Sequence, residues 1–252
     1  MKVQLFPRLT KGADVRPVGN GWRLQIPAGP ADVYRWAQLD DTLPLRRKDF
    51  QWKAPFEMRL RARVSAADIE GTWGFGLWND PFSMGLGLGG MRRWMPALPQ
   101  AVWFFHASPQ NYLSLRDDMP ANGMLMGVFQ SARLPVWALL PAFPLLPALL
   151  VPPLGRLLRR AARRLVKEDA RQLSLDFREW HDYRIVWTPE KTQFDVDGLN
   201  CFETSLSPKG RLGLVLWVDN QYAAFRPDGR LSFGTLPARE PAWLEITDFE
   251  VE

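Results

Sequence analysis

The sequence predicts an all-β fold, a β-sandwich formed by one domain over its 252 residues. Three observations carry this reading. Residues 55–66 alternate apolar and charged side chains at period two. Apolar runs of strand length recur at short intervals, separated by Gly, Pro and Asp, as in sandwiches and barrels. The chain is 46% hydrophobic and holds 12 Trp and 15 Phe, enough large rings for a substantial core.

Taken in order, residues 1–50 are short and broken. WRLQI and VYRWAQL look like brief strands, and Gly and Pro mark the turns. PFEMRLRARVSA is clearer: Phe56, Met58, Leu60, Ala62 and Val64 define one face, and Glu57, Arg59, Arg61 and Arg63 the other. The glycines of GTWGFGLWNDPF point to close backbone approach within a strand. MGLGLGGMRRWMPALPQ is loop-like, and the absence of a following Lys-Ser/Thr pair excludes a phosphate-binding P-loop. AVWFFHAS, GMLMGVFQSA, DYRIVWT, TQFDVDG, LGLVLWVDN and AWLEITDFEVE read as further strands.

One segment breaks the pattern. Residues 134–155 carry no charge and could span a bilayer by length alone. Their six prolines argue against a regular helix. The next stretch, LGRLLRRAARRLVKEDARQ, has helical periodicity, with Leu154, Leu157, Leu158, Ala161, Ala162 and Leu165 on one face and arginines on the other. Residues 134–172 thus read as an insertion made of an apolar loop and a basic amphipathic helix. Residues 156–171 hold seven cations and two acids, which equals the whole net charge of +5. Such a local block differs from the broad basic face of a nucleic-acid binder. It suits an anionic membrane surface, with Trp137, Leu139, Leu140, Phe143, Leu145 and Leu146 entering the apolar region. Arg156, Arg159, Arg160, Arg163, Arg164 and Lys167 would then face the headgroups. The competing structural role is a lid whose leucines pack on the sandwich.

Cys201 is the single cysteine, so no intrachain disulfide is expected. With no signal-peptide pattern at the start, the expectation is a cytoplasmic protein, peripheral at the inner membrane face. Two His and one Cys leave no conventional zinc site, and no cofactor is expected.

Residues 178–198, REWHDYRIVWTPEKTQFDVDG, resemble a strand pair of the family 16 glycoside hydrolases, whose pattern runs roughly dfHxYxixWtpxxixfyvDG. The matching positions are Phe177, His181, Tyr183, Ile185, Trp187, Thr188, Pro189, Phe194, Val196, Asp197 and Gly198. LEITDFEVE is similar to the family's last strand, and GTWGFGLWNDP to the strand and loop around its substrate groove. The resemblance covers residues 21–252 and implies a concanavalin-like jelly-roll sandwich of the lectin/glucanase type. Active members carry a Glu-x-Asp-x-(x)-Glu strand, which sets two carboxyl groups ~5–5.5 Å apart as nucleophile and acid/base. This sequence contains no such motif. The strand that aligns with it, residues 100–108, holds no carboxylate and has His106 as its one titratable group. The resemblance therefore implies the fold and argues against the family's ordinary hydrolysis.

In that fold a groove is lined by inner-sheet side chains, and three clusters are candidates for it. They are Trp73, Trp78, Asn79 and Asp80; Trp103, Phe105 and His106; and Trp217, Asp219, Asn220, Gln221 and Tyr222. Aromatic platforms beside amides and carboxylates suit sugars, or a flat apolar ligand with one polar end. Each has a plainer role too: Asn-Asp-Pro ends a strand, and His106 or His181 can be structural. Asp80 and Asp219 are the candidates for a carboxylate pair outside the family pattern, with His106 as a further catalytic candidate. The expected function is a membrane-surface binding module for a glycan, glycolipid or apolar ligand. The alternatives are a divergent enzyme on the same fold, and an interaction protein whose apolar insertion docks a partner.

Overall fold

The computed structural model describes residues 3–43, 45–81, 97–132, 134 and 151–252. The glycine-rich stretch after Phe82 and the apolar residues Trp137, Leu139, Leu140, Phe143, Leu145 and Leu146 lie outside these. Two seven-stranded antiparallel sheets form a jelly-roll sandwich. The first runs β1 (Phe6–Leu9), β4 (Trp36–Asp40), β13 (Gly213–Asp219), β6 (Thr72–Trp78), β7 (Ala101–Ala107), β8 (Gly123–Ser131) and β9 (Val166–Leu173). The second runs β12 (Leu199–Thr204), β11 (Thr192–Val196), β10 (His181–Trp187), β5 (Phe56–Val64), β16 (Ala242–Val251), β3 (Gly21–Ile26) and β2 (Asp14–Val18). A separate hairpin joins β14 (Gln221–Phe225) to β15 (Leu231–Thr235).

Local sequence explains these elements. Strand β5 buries the five apolar side chains of its alternation and turns its charged ones outward. Asp197 and Gly198 both take positive φ, at 51° and 78°, which is the two-residue turn that joins β11 to β12 with the strands' own twist. Between the sheets Phe75, Phe104, Tyr183 and Phe194 meet edge to face or tilted, at centroid distances of 5.0–5.4 Å. Trp187, a position of the family resemblance, is buried there and donates its indole N–H to Ser207 Oγ at 3.1 Å.

The basic segment is shorter as a helix than its periodicity predicts. Helix α1 covers Pro152–Leu165, and Val166–Leu173 is strand β9, paired with β8 from Ser131↔Val166 to Met124↔Leu173. The backbone groups of β8 take a full ladder of partners there, and this tertiary demand overrides helix propensity. Lys167 therefore stands on a strand, a correction to its placement on the helix.

The face that α1 turns inward is also different. Gly155 and Arg159 are its buried residues, while Leu154, Leu157 and Leu165 are exposed, Leu157 at 59%. Gly155 touches the hairpin tip: a Cβ there would lie 2.1 Å from the carbonyl oxygen of Gly229. Arg159, 2% exposed, donates to Asp117, to the carbonyl of Arg116 at 2.8 Å and to that of Phe225. Its guanidinium lies over the rings of Tyr112 and Phe225 at 5.2 and 5.6 Å. Arg159 is thus an internal anchor and does not reach an outside surface.

Candidate functional site: the aromatic outer face of the first sheet

Alternation divides the predicted clusters between two faces. On β7, Val102, Phe104 and His106 point into the sandwich, and Trp103 and Phe105 point to the outer side of the first sheet. On β6, Trp73 points inward, beside His106, and Trp78 shares the outer side. Outside, Phe105, Leu125, Val215 and Trp217 form a second apolar cluster, with Trp78, Trp103, Leu113 and Met119 packed against it.

Glycines make room for this cluster. A Cβ on Gly74 would come 2.8 Å from Trp217 Cη2, and one on Gly127 would come 3.3 Å from Trp103 Nε1. Both indoles therefore rest over glycine positions. Trp103 stacks with Phe105 at 5.2 Å and 27°, and Trp217 lies 5.6 Å from Phe105 and 5.7 Å from Trp103. Phe105 and Trp217 are 9% and 7% exposed, whereas Trp103 and Trp78 are half-buried.

A polar border runs beside the rings. The Trp217 indole donates to Thr72 Oγ1 at 2.9 Å, and that hydroxyl donates to Asp219 Oδ1 at 2.8 Å. Backbone N–H groups of Thr72 and Gln221 donate to the same oxygen at 3.2 Å, and Gln221 Nε2 donates to Oδ2 at 2.6 Å. Burial pushes the Asp219 carboxyl up to about 6, against these hydrogen bonds. On the next strand Trp36, Gln38 and Asp40 face the same way, joined by Trp36 Nε1 to Gln38 (3.2 Å) and Gln38 Nε2 to Asp40 (2.7 Å). Arg8 pairs with Asp40 at 3.1 Å. Sequence reading missed this second trio, although the Trp-x-Gln-x-Asp spacing of WAQLD was its signal.

Several predicted residues have other work. His106 stacks on Trp73 inside the core at 5.3 Å, and burial lowers its pKa to about 4. It is a neutral core histidine, remote from the outer face that its neighbours Trp103 and Phe105 occupy. Asn79 closes the β6–β7 end, accepting from Gln100 N–H at 3.0 Å and donating to Leu98 O at 2.8 Å. Asp80 takes a left-handed φ of 47°, and its carbonyl accepts the Arg47 side chain. Asn220 is fully buried and links Arg35, Val33 and Leu236.

Asp80 and Asp219 do not form a pair. Asp219 stands opposite Thr72, at the far end of β6 from Asp80. Eight residues of extended chain separate the two positions by roughly 26 Å, beyond the ~5–9.5 Å that glycosidase carboxylates need.

No protein-family model matches the chain, and no curated protein matches it. Solved structures do. A family 16 endo-glucanase from Bacteroides ovatus superposes with a TM-score of 0.52 at 7% identity, over 98% of this chain and 94% of its own. A glycoside hydrolase family protein from Mycobacterium thermorestibile gives 0.51 at 12% identity, over 98% and 92%. The fold is that of the family 16 glycoside hydrolases. At these identities the likeness is one of architecture. The outward side chains of β7 are Ala101, Trp103, Phe105 and Ala107, so that strand presents rings and methyl groups on the outer face.

Proposed function

We propose that this chain is a binding module for a glycan, built on a family 16 fold and working without that family's hydrolytic chemistry. The observation that carries the reading is the pair of indoles, Trp103 and Trp217, seated over Gly127 and Gly74 beside a border of amides and carboxylates. Ring faces stack on sugar C–H groups, and the polar border suits hydroxyls. Trp103 and Trp78 are the reachable edge of this surface. Four donors hold Asp219 in this border, three on Oδ1 and one on Oδ2. A glycolipid, or an apolar molecule with one polar end, would use the same chemistry.

The same proposal places the module at the cytoplasmic face of an anionic membrane. Five of the ten exposed large apolar side chains among the described residues, Leu134, Val151, Leu154, Leu157 and Leu165, lie in or beside α1. Arg156, Arg160 and Arg164 of the same helix are exposed too. No described helix is long and apolar enough to cross a membrane.

A second reading, an interaction protein that docks a partner, is favoured by the low exposure of Phe105 and Trp217. One titration separates the readings. Soluble β-glucan oligosaccharides are added while tryptophan fluorescence and reducing ends are followed. Saturable binding without reducing-end release, lost in Trp103→Ala, is the expected result. Released reducing ends would make the protein an enzyme, and no binding by any glycan would leave the docking reading.

A further inference from the structure

Residues 113–121, between β7 and β8, fold across the outer face of the first sheet. Leu113 and Met119 pack against the aromatic cluster, and Ala121, 6% exposed, is part of it. Asp117, Asp118 and Pro120 face solvent. The neck of the segment is narrow, because Leu113 N–H donates to the Pro120 carbonyl at 3.1 Å. It is thus a short Ω-loop, closed on itself and able to move as one piece.

Its two roots differ. On one side Tyr112 is fixed to β14: its N–H donates to Ala223 at 2.9 Å, and its carbonyl accepts from Phe225 at 3.0 Å. On the other side Ala121 and Gly123 take left-handed φ values of 54° and 73°. An alanine holds that conformation at an energetic cost, sustained here by its burial against the cluster. Lifting the segment releases the strain.

The tip is latched to β9. Glu168 stands opposite Phe129, on the outer side of the sheet, and Phe129 meets Trp103 edge to face at 6.1 Å. The Glu168 carboxylate accepts the Leu115 N–H at 2.8 Å and the hydroxyl of Ser114. Arg159 also meets the tip, but through the Arg116 carbonyl and the Asp117 carboxylate, so it covers no amide there. A few apolar side chains and a carboxylate latch hold this segment, far less than holds the strands beneath it.

We infer that residues 113–121 are a flap that covers the aromatic face and, lifting from its Glu168 latch, opens Phe105 and Trp217 to ligand. The identity of that ligand rests on the glycan reading, whereas the opening is a property of the chain alone. A site open for a fraction of the time binds with its affinity reduced by that fraction, so the latch sets the affinity.

The test uses the full chain carrying Cys201→Ser and one reporter thiol. Leu125→Cys places the thiol in the covered cluster, and Ile185→Cys places it in the core between the sheets. Labelling by a maleimide reads opening without ligand. Glu168→Ala is expected to speed labelling at Leu125→Cys about tenfold, as loss of one charge-assisted hydrogen bond does. Labelling at Ile185→Cys is expected to stay unchanged. Leu113→Ala, a change confined to the surface loop, should act in the same direction and serves where Glu168→Ala fails to fold. In a second arm, β-glucan oligosaccharides should bind Glu168→Ala up to about tenfold more tightly than the native chain. Unchanged labelling at Leu125→Cys, or acceleration matched at Ile185→Cys, overturns the flap. Faster labelling with unchanged oligosaccharide affinity overturns its control of the site. Faster labelling with no oligosaccharide bound by either chain upholds the flap and removes the glycan reading.

Discussion

Trp73 and His106 stack face to face inside the sandwich, 5.3 Å apart, on neighbouring strands. Neither Trp73 Nε1 nor His106 Nδ1 has a hydrogen-bond partner. The folded state therefore holds His106 neutral, with its pKa lowered to about 4 by burial. The unfolded chain takes up this proton near 6.5. Stability contributed by neutral His106 is thus present above pH 6.5 and lost as pH falls toward 4, by up to about 3 kcal/mol.

Asp219 acts with the opposite sign. Its carboxyl is raised to about 6, so the folded state binds a proton before the unfolded state does. Stability from this group rises as pH falls from about 6 to 4. Urea unfolding at pH 7 and pH 4.5 should show His106→Leu losing less stability on acidification than the native chain. Asp219→Asn should lose more. Identical pH dependence in all three would contradict the assigned burial.

Gly127 and Gly74 should respond unequally to alanine. At Gly74 the new methyl would meet the carbonyl oxygen of Phe104 at 2.3 Å as well as Trp217, and the backbone cannot yield. Gly74→Ala is expected to cost about 2–3 kcal/mol, as overpacking does. At Gly127 it meets the movable Trp103 ring, so Gly127→Ala should fold, keep most of its stability and bind ligand more weakly. Thermal melts beside the glycan titration check both.

Arg159→Ala should loosen α1 from the body. The change leaves Asp117 with one fewer partner and strips two carbonyls of donors, at a cost of about 2–4 kcal/mol. Arg159→Lys should recover little, because one ammonium cannot reproduce a planar fork set against two rings. Hydrogen exchange is the readout: faster exchange confined to residues 152–165 is expected, and unchanged protection there would refute the anchor.

Leu157→Glu tests the membrane contact without disturbing packing, since that side chain is 59% exposed. Salt-sensitive sedimentation with anionic vesicles should fall to the level seen with neutral ones. Equal sedimentation of variant and native chain would exclude α1 as the contact.

The sandwich was legible because its central strands state their own burial. Phe56 to Val64 alternate so regularly that the buried face follows from the sequence, and the Asp-Gly turn marks the end of β11. Strands β1, β2, β12, β14 and β15 escaped because they are short and edge-like, and half-exposed strands lack a strong period. The helix boundary escaped for another reason. VKEDARQL has no strong strand propensity, and only the unpaired edge of β8 explains its conformation. The site clusters were gathered by proximity in sequence, which mixes the two faces of a strand. Applying period two to WFFH would have parted His106 from Trp103 and Phe105.

Strands β8 and β9 are hydrogen-bonded neighbours, yet residues 132–165 intervene between them, leaving after Ser131 and returning at Val166, its partner in the ladder. The chain departs and re-enters at one point, so the sheet's register is indifferent to what lies between. A short turn from Ser131 to Val166 would close the same ladder. The excursion is therefore a cassette: it can lengthen, shorten or change chemistry while the scaffold that carries it stays the same.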